Sequence, residues 1–214
     1  MEIKKISLAV LLSTITTFAF AQEFPGLVEG KDYTKGKIAP TVVDSNQAKP
    51  SFVEFFWYGC PHCYHVKDQS AQLAKKHGNK INYVRYPVGF PNWNAGGKIF
   101  FALEEMKVLD KMHDKVFDQI HKNRVNTFND TKAREALLTT NGVDVKKFNE
   151  LYNSFGVNAK WSKAQAITKS HNITGSPVFA VYSGGYTYQV APSQVGGYDK
   201  ALNNIDIILK AKSK

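Results

Sequence analysis

The stretch SFVEFFWYGCPHCYHV, residues 51–66, decides the fold because two patterns meet in it. Its first half, Ser51–Tyr58, is an apolar run of strand length broken only by Glu54. A run without polar alternation suits a strand buried on both faces, as in a parallel sheet covered by helices. In its second half Pro61 stands where a helix begins, a position at which its missing N–H costs nothing. The helix runs from Pro61 to His77 and stops at Gly78. Val66, Leu73 and Ala74 form its apolar stripe, with Ser70 and Ala71 as small neighbours. KINYVRYPV (Lys80–Val88) is a second strand, so the segment reads as a βαβ unit.

Upstream, residues 22–50 are polar with scattered Gly and Pro, and one short strand is expected around Val42–Val43. Downstream, from Pro91 to Ser170, every signal is helical. Ala95–Lys107 and Asp110–Arg124 are amphipathic, the latter with Met112, Val116, Phe117 and Ile120 on one face. Asp130 caps a helix ending at Asn141-Gly142, Asp144 caps one ending near Gly156, and a last helix covers Lys160–His171. Strands return at Pro177–Tyr182 and Tyr186–Val190, joined by Ser183-Gly184-Gly185, and a helix from Tyr198 to Lys210 closes the chain. The expectation is an α/β domain built from residues 22–90 and 171–214, interrupted by a helical subdomain over 91–170.

The first 21 residues read as a secretory signal peptide. Lys4 and Lys5 precede an apolar stretch too short to span a bilayer securely, and Ala19-Phe20-Ala21 matches an A-x-A cleavage site. Cleavage before Gln22 leaves a soluble, exported, periplasmic chain, in a compartment where disulfides persist. The formal charge is +10 and becomes +9 once Glu2, Lys4 and Lys5 leave with the signal. Basic residues are interleaved with acids rather than gathered into an arm. Such a surface can meet anionic lipid, acidic clients or only water, and export argues against nucleic acid. No internal repeat or low-complexity segment is present.

The chain has two cysteines, Cys60 and Cys63. A staple closing so short a loop stabilises little. Structural zinc wants four ligands, and no second C-x-x-C exists; His62 and His65 are close, but His62 lies inside the loop and is poorly placed to share a metal. A c-type haem site needs His where Tyr64 stands. No metal or cofactor is expected. What remains is reactive chemistry, since C-x-x-C opening a helix after a buried strand is a redox signature. Cys60 would lie at the positive end of the helix dipole, beside the first unpaired N–H groups. His62 can add a charge or a donor. Cys63, one turn in, is expected buried with an ordinary or raised pKa. Cys60 is then the attacked sulfur and Cys63 the resolving one. A Cys60 pKa near ~5 would stabilise the dithiol by ~2.7 kcal/mol at pH 7, raising the potential by ~60 mV. Such a protein oxidises others.

These residues resemble the DsbA-type thiol:disulfide oxidoreductases, which have a thioredoxin-like fold with a helical insertion. The resemblance rests on VEFFWYGCPHCYHV, on EGKDY (Glu29–Tyr33) and on ITGSPVFAVYSGGYTY (Ile173–Tyr188), and the order of elements extends it along the mature chain. An acidic first cysteine and an oxidising couple are traits of that family. The resemblance implies that Pro61 and His62 tune the potential and that Pro177 is a cis-proline facing the disulfide, leaving backbone groups free for a bound peptide. Ser176 stands where other members often carry Val or Thr, a departure that bears on client preference. Glu54 matches a buried acid beneath the active site, with Arg85 where the family often has a lysine partner. Phe90 and Trp93 are either groove aromatics or core. The implied activity is a protein dithiol oxidase. Its partners would be reduced, newly exported proteins and a membrane reoxidant of the DsbB kind. The remaining readings are a disulfide isomerase or reductase, and a redox-inert peptide-binding chaperone. Isomerases of this fold carry a dimerisation domain for which this chain has no room, so a monomer is expected. The intact C-x-x-C argues against the chaperone.

Overall fold

The computed structural model describes residues 22–37, 42–43 and 48–213. The proposed signal peptide, residues 1–21, lies outside the described residues. The strands are β1 (Thr34–Lys37), β2 (Ser51–Phe56), β3 (Asn82–Pro87), β4 (Val178–Ser183) and β5 (Tyr186–Val190). The helices are α1 (Pro61–His77), α2 (Asn94–Glu105), α3 (Leu109–His121), α4 (Thr131–Thr140), α5 (Val145–Tyr152), α6 (Phe155–Ser170), α7 (Pro192–Val195) and α8 (Tyr198–Lys212). One sheet runs β1-β5-β4-β2-β3, with β2 and β3 parallel and the other pairs antiparallel. Five helices, α2 to α6, run between β3 and β4 in the chain.

β2 holds the middle of this architecture, and all six of its residues are buried. Phe52 packs with Val66 and Ala74 of α1 and with Ile205, Ile208 and Leu209 of α8. Val53 and Phe55 point the other way, toward Ile167 of α6, Ile173 and Val178. The strand therefore needs apolar side chains on both faces, which is why its sequence does not alternate. Phe56, at its end, belongs to a third cluster with Tyr58, Cys63, Phe100, Phe117 and Phe148. Each fully buried aromatic of that kind contributes ~1.5–3 kcal/mol over its exposed state. This cluster joins the Tyr58–Cys63 segment to the helices of 94–170.

α1 begins and ends as its sequence dictates: Cys60 is the N-cap, Pro61 occupies the first turn, and Gly78 stops it with φ 56° and its N–H on the Ala74 carbonyl. Other boundaries differ. The N-terminal strand is Thr34–Lys37, not Val42–Val43. TKGK has no apolar period to reveal it; pairing with β5, Lys35 opposite Tyr188, places it there. Val43 packs instead against the Val53 and Phe55 cluster. Gly156 does not stop a helix. The Ser154 hydroxyl accepts the Val157 N–H at 3.2 Å, capping α6 so that Gly156 falls in its first turn. The short α7, opened by Pro192, was not expected from the sequence. No helix among the described residues is long and apolar enough to cross a membrane.

Candidate active site

The end of β2 and the start of α1 set the two thiols. Cys60 N donates to the Trp57 carbonyl at 3.0 Å, closing a turn that delivers Cys60 to the helix N-cap. There Cys60 Sγ accepts the backbone N–H of Cys63 at 3.4 Å. Cys60 is 7% exposed and Cys63 fully buried, and both are free thiols. The Cys63 thiol, the Ser176 hydroxyl and the backbone N–H groups of Cys63 and His62 draw the Cys60 pKa down to about 5 against the opposing effect of burial. Burial pushes Cys63 far up, and its thiolate neighbour pushes it further. The two sulfurs thus have opposite characters, one a thiolate at neutral pH and one a thiol.

Across from them, the Ser176–Pro177 peptide is cis. The Ser176 carbonyl accepts a hydrogen bond from Cys60 Sγ at 3.4 Å when that thiol is protonated. β4 starts immediately after, and Val178 pairs with Phe55 of β2, so the sheet itself fixes this loop over the sulfur. The Ser176 hydroxyl is buried beside the two sulfurs and lowers the pKa of both, with no other polar partner among the described residues.

His62 serves the sulfur through its backbone rather than its ring. The imidazole is turned onto Tyr198 at the start of α8, ring centroids 5.6 Å apart. Tyr198 itself has its pKa raised, first by burial and then by the nearby cysteines. Sequence reasoning missed Tyr198, because nothing local marks a residue 138 positions from Cys60 as its neighbour.

Glu54 is buried, and burial raises its carboxyl to about 7. The parallel register sets Arg85 opposite Glu54. Their proximity is electrostatic only: the Arg85 guanidinium donates to Asp110 Oδ1 at 2.9 Å, an acid at the exposed start of α3. The hydrogen-bonding partner of Glu54 is instead Tyr83, whose hydroxyl donates to Oε2 at 2.6 Å. The expected ion pair with Arg85 is therefore corrected to a tyrosine–carboxylate bond. The physical reason is reach and solvation: Tyr83 lies two residues earlier on the same face of β3, and a phenol enters a dry site more cheaply than a guanidinium. Of the buried face of α1, which holds Cys63, Val66 and Ser70, Ser70 is the residue that acts on this acid.

Beside the cysteines runs a file of aromatic rings. Phe90 meets Trp93 edge-on at 4.7 Å, Trp93 stacks on Trp57 at 4.2 Å, and Phe128 follows Trp57 at 6.0 Å. All four are half-buried. Trp57, Gly59, Ile120, Val125, Asn126 and Phe128 line a cleft of about 330 Å³ that reaches Gly59, the residue before Cys60, with Arg124 also on its wall. Phe90 and Trp93 are thus neither wholly core nor free. Among the described residues no group of three or more His, Cys, Asp or Glu is placed to hold a metal ion.

Residues 52–199 match the family model of the DSBA-like thioredoxin domain. The chain is 32% identical over 209 residues to the thiol:disulfide interchange protein DsbA of Burkholderia cepacia, covering 97% of this chain and 96% of that one. It is 30% identical over 208 residues to the protein of the same name from Pseudomonas aeruginosa, with the same coverage. The crystal structure of Pseudomonas aeruginosa DsbA superposes with a TM-score of 0.72 at 32% identity, over 85% of this chain and 92% of that one. The oxidoreductase DsbA from Xylella fastidiosa, at 22% identity and a TM-score of 0.75 over 86% of this chain and 96% of that one, shares the fold.

Proposed function

The chain belongs to the DSBA-like thioredoxin-domain family, and we propose that it is a periplasmic oxidase that gives its Cys60–Cys63 disulfide to reduced, newly exported proteins. One observation carries this reading: Cys60 Sγ sits at the helix N-cap with amide N–H groups on it, so that its thiolate is the stabilised form. In the oxidised protein a client thiolate attacks Cys60 Sγ. The Cys60–Cys63 bond breaks and Cys63 leaves, taking up a proton because its buried site disfavours the thiolate. A second client thiolate then attacks the client sulfur of the mixed disulfide, and Cys60 leaves as a thiolate. The client is oxidised by two electrons and the protein reduced by two. A stable Cys60 thiolate is a good leaving group, which drives the second step toward client oxidation. A membrane oxidant of the DsbB kind would take the electrons onward.

Residues 22–90 and 171–214 form the thioredoxin-like part in this reading, with 91–170 as the inserted helical part, working as a monomer. Ser176 and Pro177 present backbone groups to the client. Glu54, with a carboxyl near neutrality, relays the proton that Cys63 gains or loses. Pro61 and His62 set the potential through the helix start. Residues 1–21 act as the export signal.

The test is equilibration against glutathione with oxidation of a reduced multi-cysteine client in parallel. The expected result is a dithiol favoured over the disulfide at glutathione ratios where ordinary structural disulfides stay closed. Cys60→Ala should abolish client oxidation, and Cys63→Ala should accumulate the mixed disulfide on Cys60. Full activity of Cys60→Ala would instead identify a redox-inert chaperone, and a strongly reducing couple would identify a reductase.

A further inference from the structure

Helix α3 lies outside the thioredoxin-like part, yet one of its faces is spent on the segment that carries the nucleophile. His113, Phe117 and His121 recur every four residues and so share a stripe. Tyr58, two residues before Cys60, is held by both histidines. Its hydroxyl and His113 Nδ1 are 3.0 Å apart, and both side chains are buried. Its carbonyl is 2.8 Å from His121 Nε2; a carbonyl only accepts, so that nitrogen carries the proton and donates. Phe117 packs between them, 5.0 Å from the Tyr58 ring. On the far side of Cys60, the Tyr64 hydroxyl donates to Asp118 Oδ1 at 2.9 Å, and the Tyr64 ring stacks on His121 at 4.9 Å.

The held peptide is part of the turn that places the sulfur. Trp57 and Cys60 close that turn through the bond from Cys60 N to the Trp57 carbonyl. A side chain at Gly59 inside it would force the Trp57 ring to move, because a Cβ there would stand 2.5 Å from that ring. With Gly59 supplying no side-chain anchor, the orientation of the 58–59 peptide plane rests on the hydrogen bond from His121. That plane sets where Cys60 Sγ lies relative to the amide of Cys63.

We propose that His121 is a positioning residue for the nucleophile: its imidazole N–H, on the Tyr58 carbonyl, fixes the turn that aligns Cys60 Sγ with the first amides of α1, and α3 thereby lets the helical insertion set the reactivity of Cys60. His113 supports the same turn through the Tyr58 hydroxyl. The inference rests on Cys60 being the attacked sulfur, which the wild-type titration checks separately.

The experiment compares wild type, His121→Leu and His121→Gln by thiolate absorbance against pH, by equilibration with glutathione, and by thermal melting. Glutamine retains an N–H at a reach close to that of Nε2, and leucine does not. Releasing the turn weakens one charge-assisted hydrogen bond on the sulfur, an effect of ~tenfold on the thiolate equilibrium. His121→Leu should therefore raise the Cys60 pKa by ~1 unit and make the disulfide ~tenfold harder to reduce, equivalent to ~30 mV. His121→Gln should recover most of both. His121 is half-buried at a helix end, and should the leucine variant not fold, His121→Ala gives the same contrast. A lowered melting point with an unchanged Cys60 pKa and potential would make His121 merely structural and overturn the proposal, as would equal effects of leucine and glutamine. An ordinary Cys60 pKa in the wild type would refute the underlying functional reading instead.

Discussion

Reducing the Cys60–Cys63 disulfide should stabilise this protein above a definite pH and destabilise it below. The perturbation removes one constraint and adds one charge. The constraint is a four-residue loop, whose closure in the unfolded chain contributes ~1.9 kcal/mol to the oxidised form on the chain-entropy relation. The charge is the Cys60 thiolate, held at about 5 in the folded state against ~8.5 unfolded. At pH 7 that difference stabilises the dithiol form by ~2.7 kcal/mol. The charge wins by ~0.8 kcal/mol.

The pH dependence has a fixed sign. The folded pKa is depressed, so the thiolate contribution is fully present above the unfolded value, where it reaches ~4.8 kcal/mol, and is lost as pH falls through the folded value. At pH 5 only ~0.4 kcal/mol remains, and the oxidised form is then the more stable by ~1.5 kcal/mol. The two stabilities should cross near pH ~6.4. Burial keeps Cys63 protonated in the folded state, so its ionisation in the unfolded chain offsets almost nothing at pH 7 and ~0.4 kcal/mol at pH 8.5, too little to change the order there. Urea melts of both redox forms from pH 5 to 8.5 measure the difference. At pH 7 the midpoints should be separated by ~0.3–0.8 M for slopes of ~1–3 kcal/mol/M. Groups that titrate alike in both forms cancel in the subtraction. A gap that does not change with pH, or an oxidised form that stays more stable at pH 8.5, would refute the stabilised thiolate.

Three further outcomes follow from particular contacts. Tyr83→Phe removes the hydroxyl on Glu54 and should move that carboxyl from about 7 upward by ~1 unit, readable by carbon NMR of the labelled side chain; an unchanged value would return the role to Arg85. Asp206 is held down to about 2 against the effect of burial by Lys210, Lys76 and His77, so Asp206→Asn should cost ~2 kcal/mol at neutral pH, with the wild-type advantage disappearing as pH falls from 4 toward 2. Gly89→Ala should destabilise by ~3 kcal/mol or more, since the new Cβ would run into the backbone of Gln165 in α6, which cannot yield as a side chain can; a loss below ~1 kcal/mol in a denaturant melt would show that the contact between α6 and the segment after β3 is looser than described.

What was legible in the sequence follows from how local each cause is. The β2–α1 boundary is written entirely in adjacent residues: an apolar run, a capping cysteine, a proline in the first turn and a glycine at the stop, and α1 begins and ends at the expected residues. The caps at Asp130 and Asp144 are equally local, each accepting an N–H three residues on. Thr34–Lys37 is a strand for a non-local reason, its pairing with β5, and a polar edge strand carries no periodicity of its own. The same divide runs through the active site. The contrast between Cys60 and Cys63 is local, set mainly by the helix start and by burial one turn later. The partners that finish the site are not. Tyr198 reaches His62 from the last helix, Tyr83 replaces Arg85 on Glu54, and His113 and His121 reach Tyr58 from the insertion. The register between β2 and β3 could narrow the partner of Glu54 to one face of β3, but not choose between a phenol and a guanidinium. That choice was made by solvation: Asp110 gave the guanidinium an ion-pair partner at the exposed start of α3, and the dry space beside Glu54 was left to the group that is cheapest to bury.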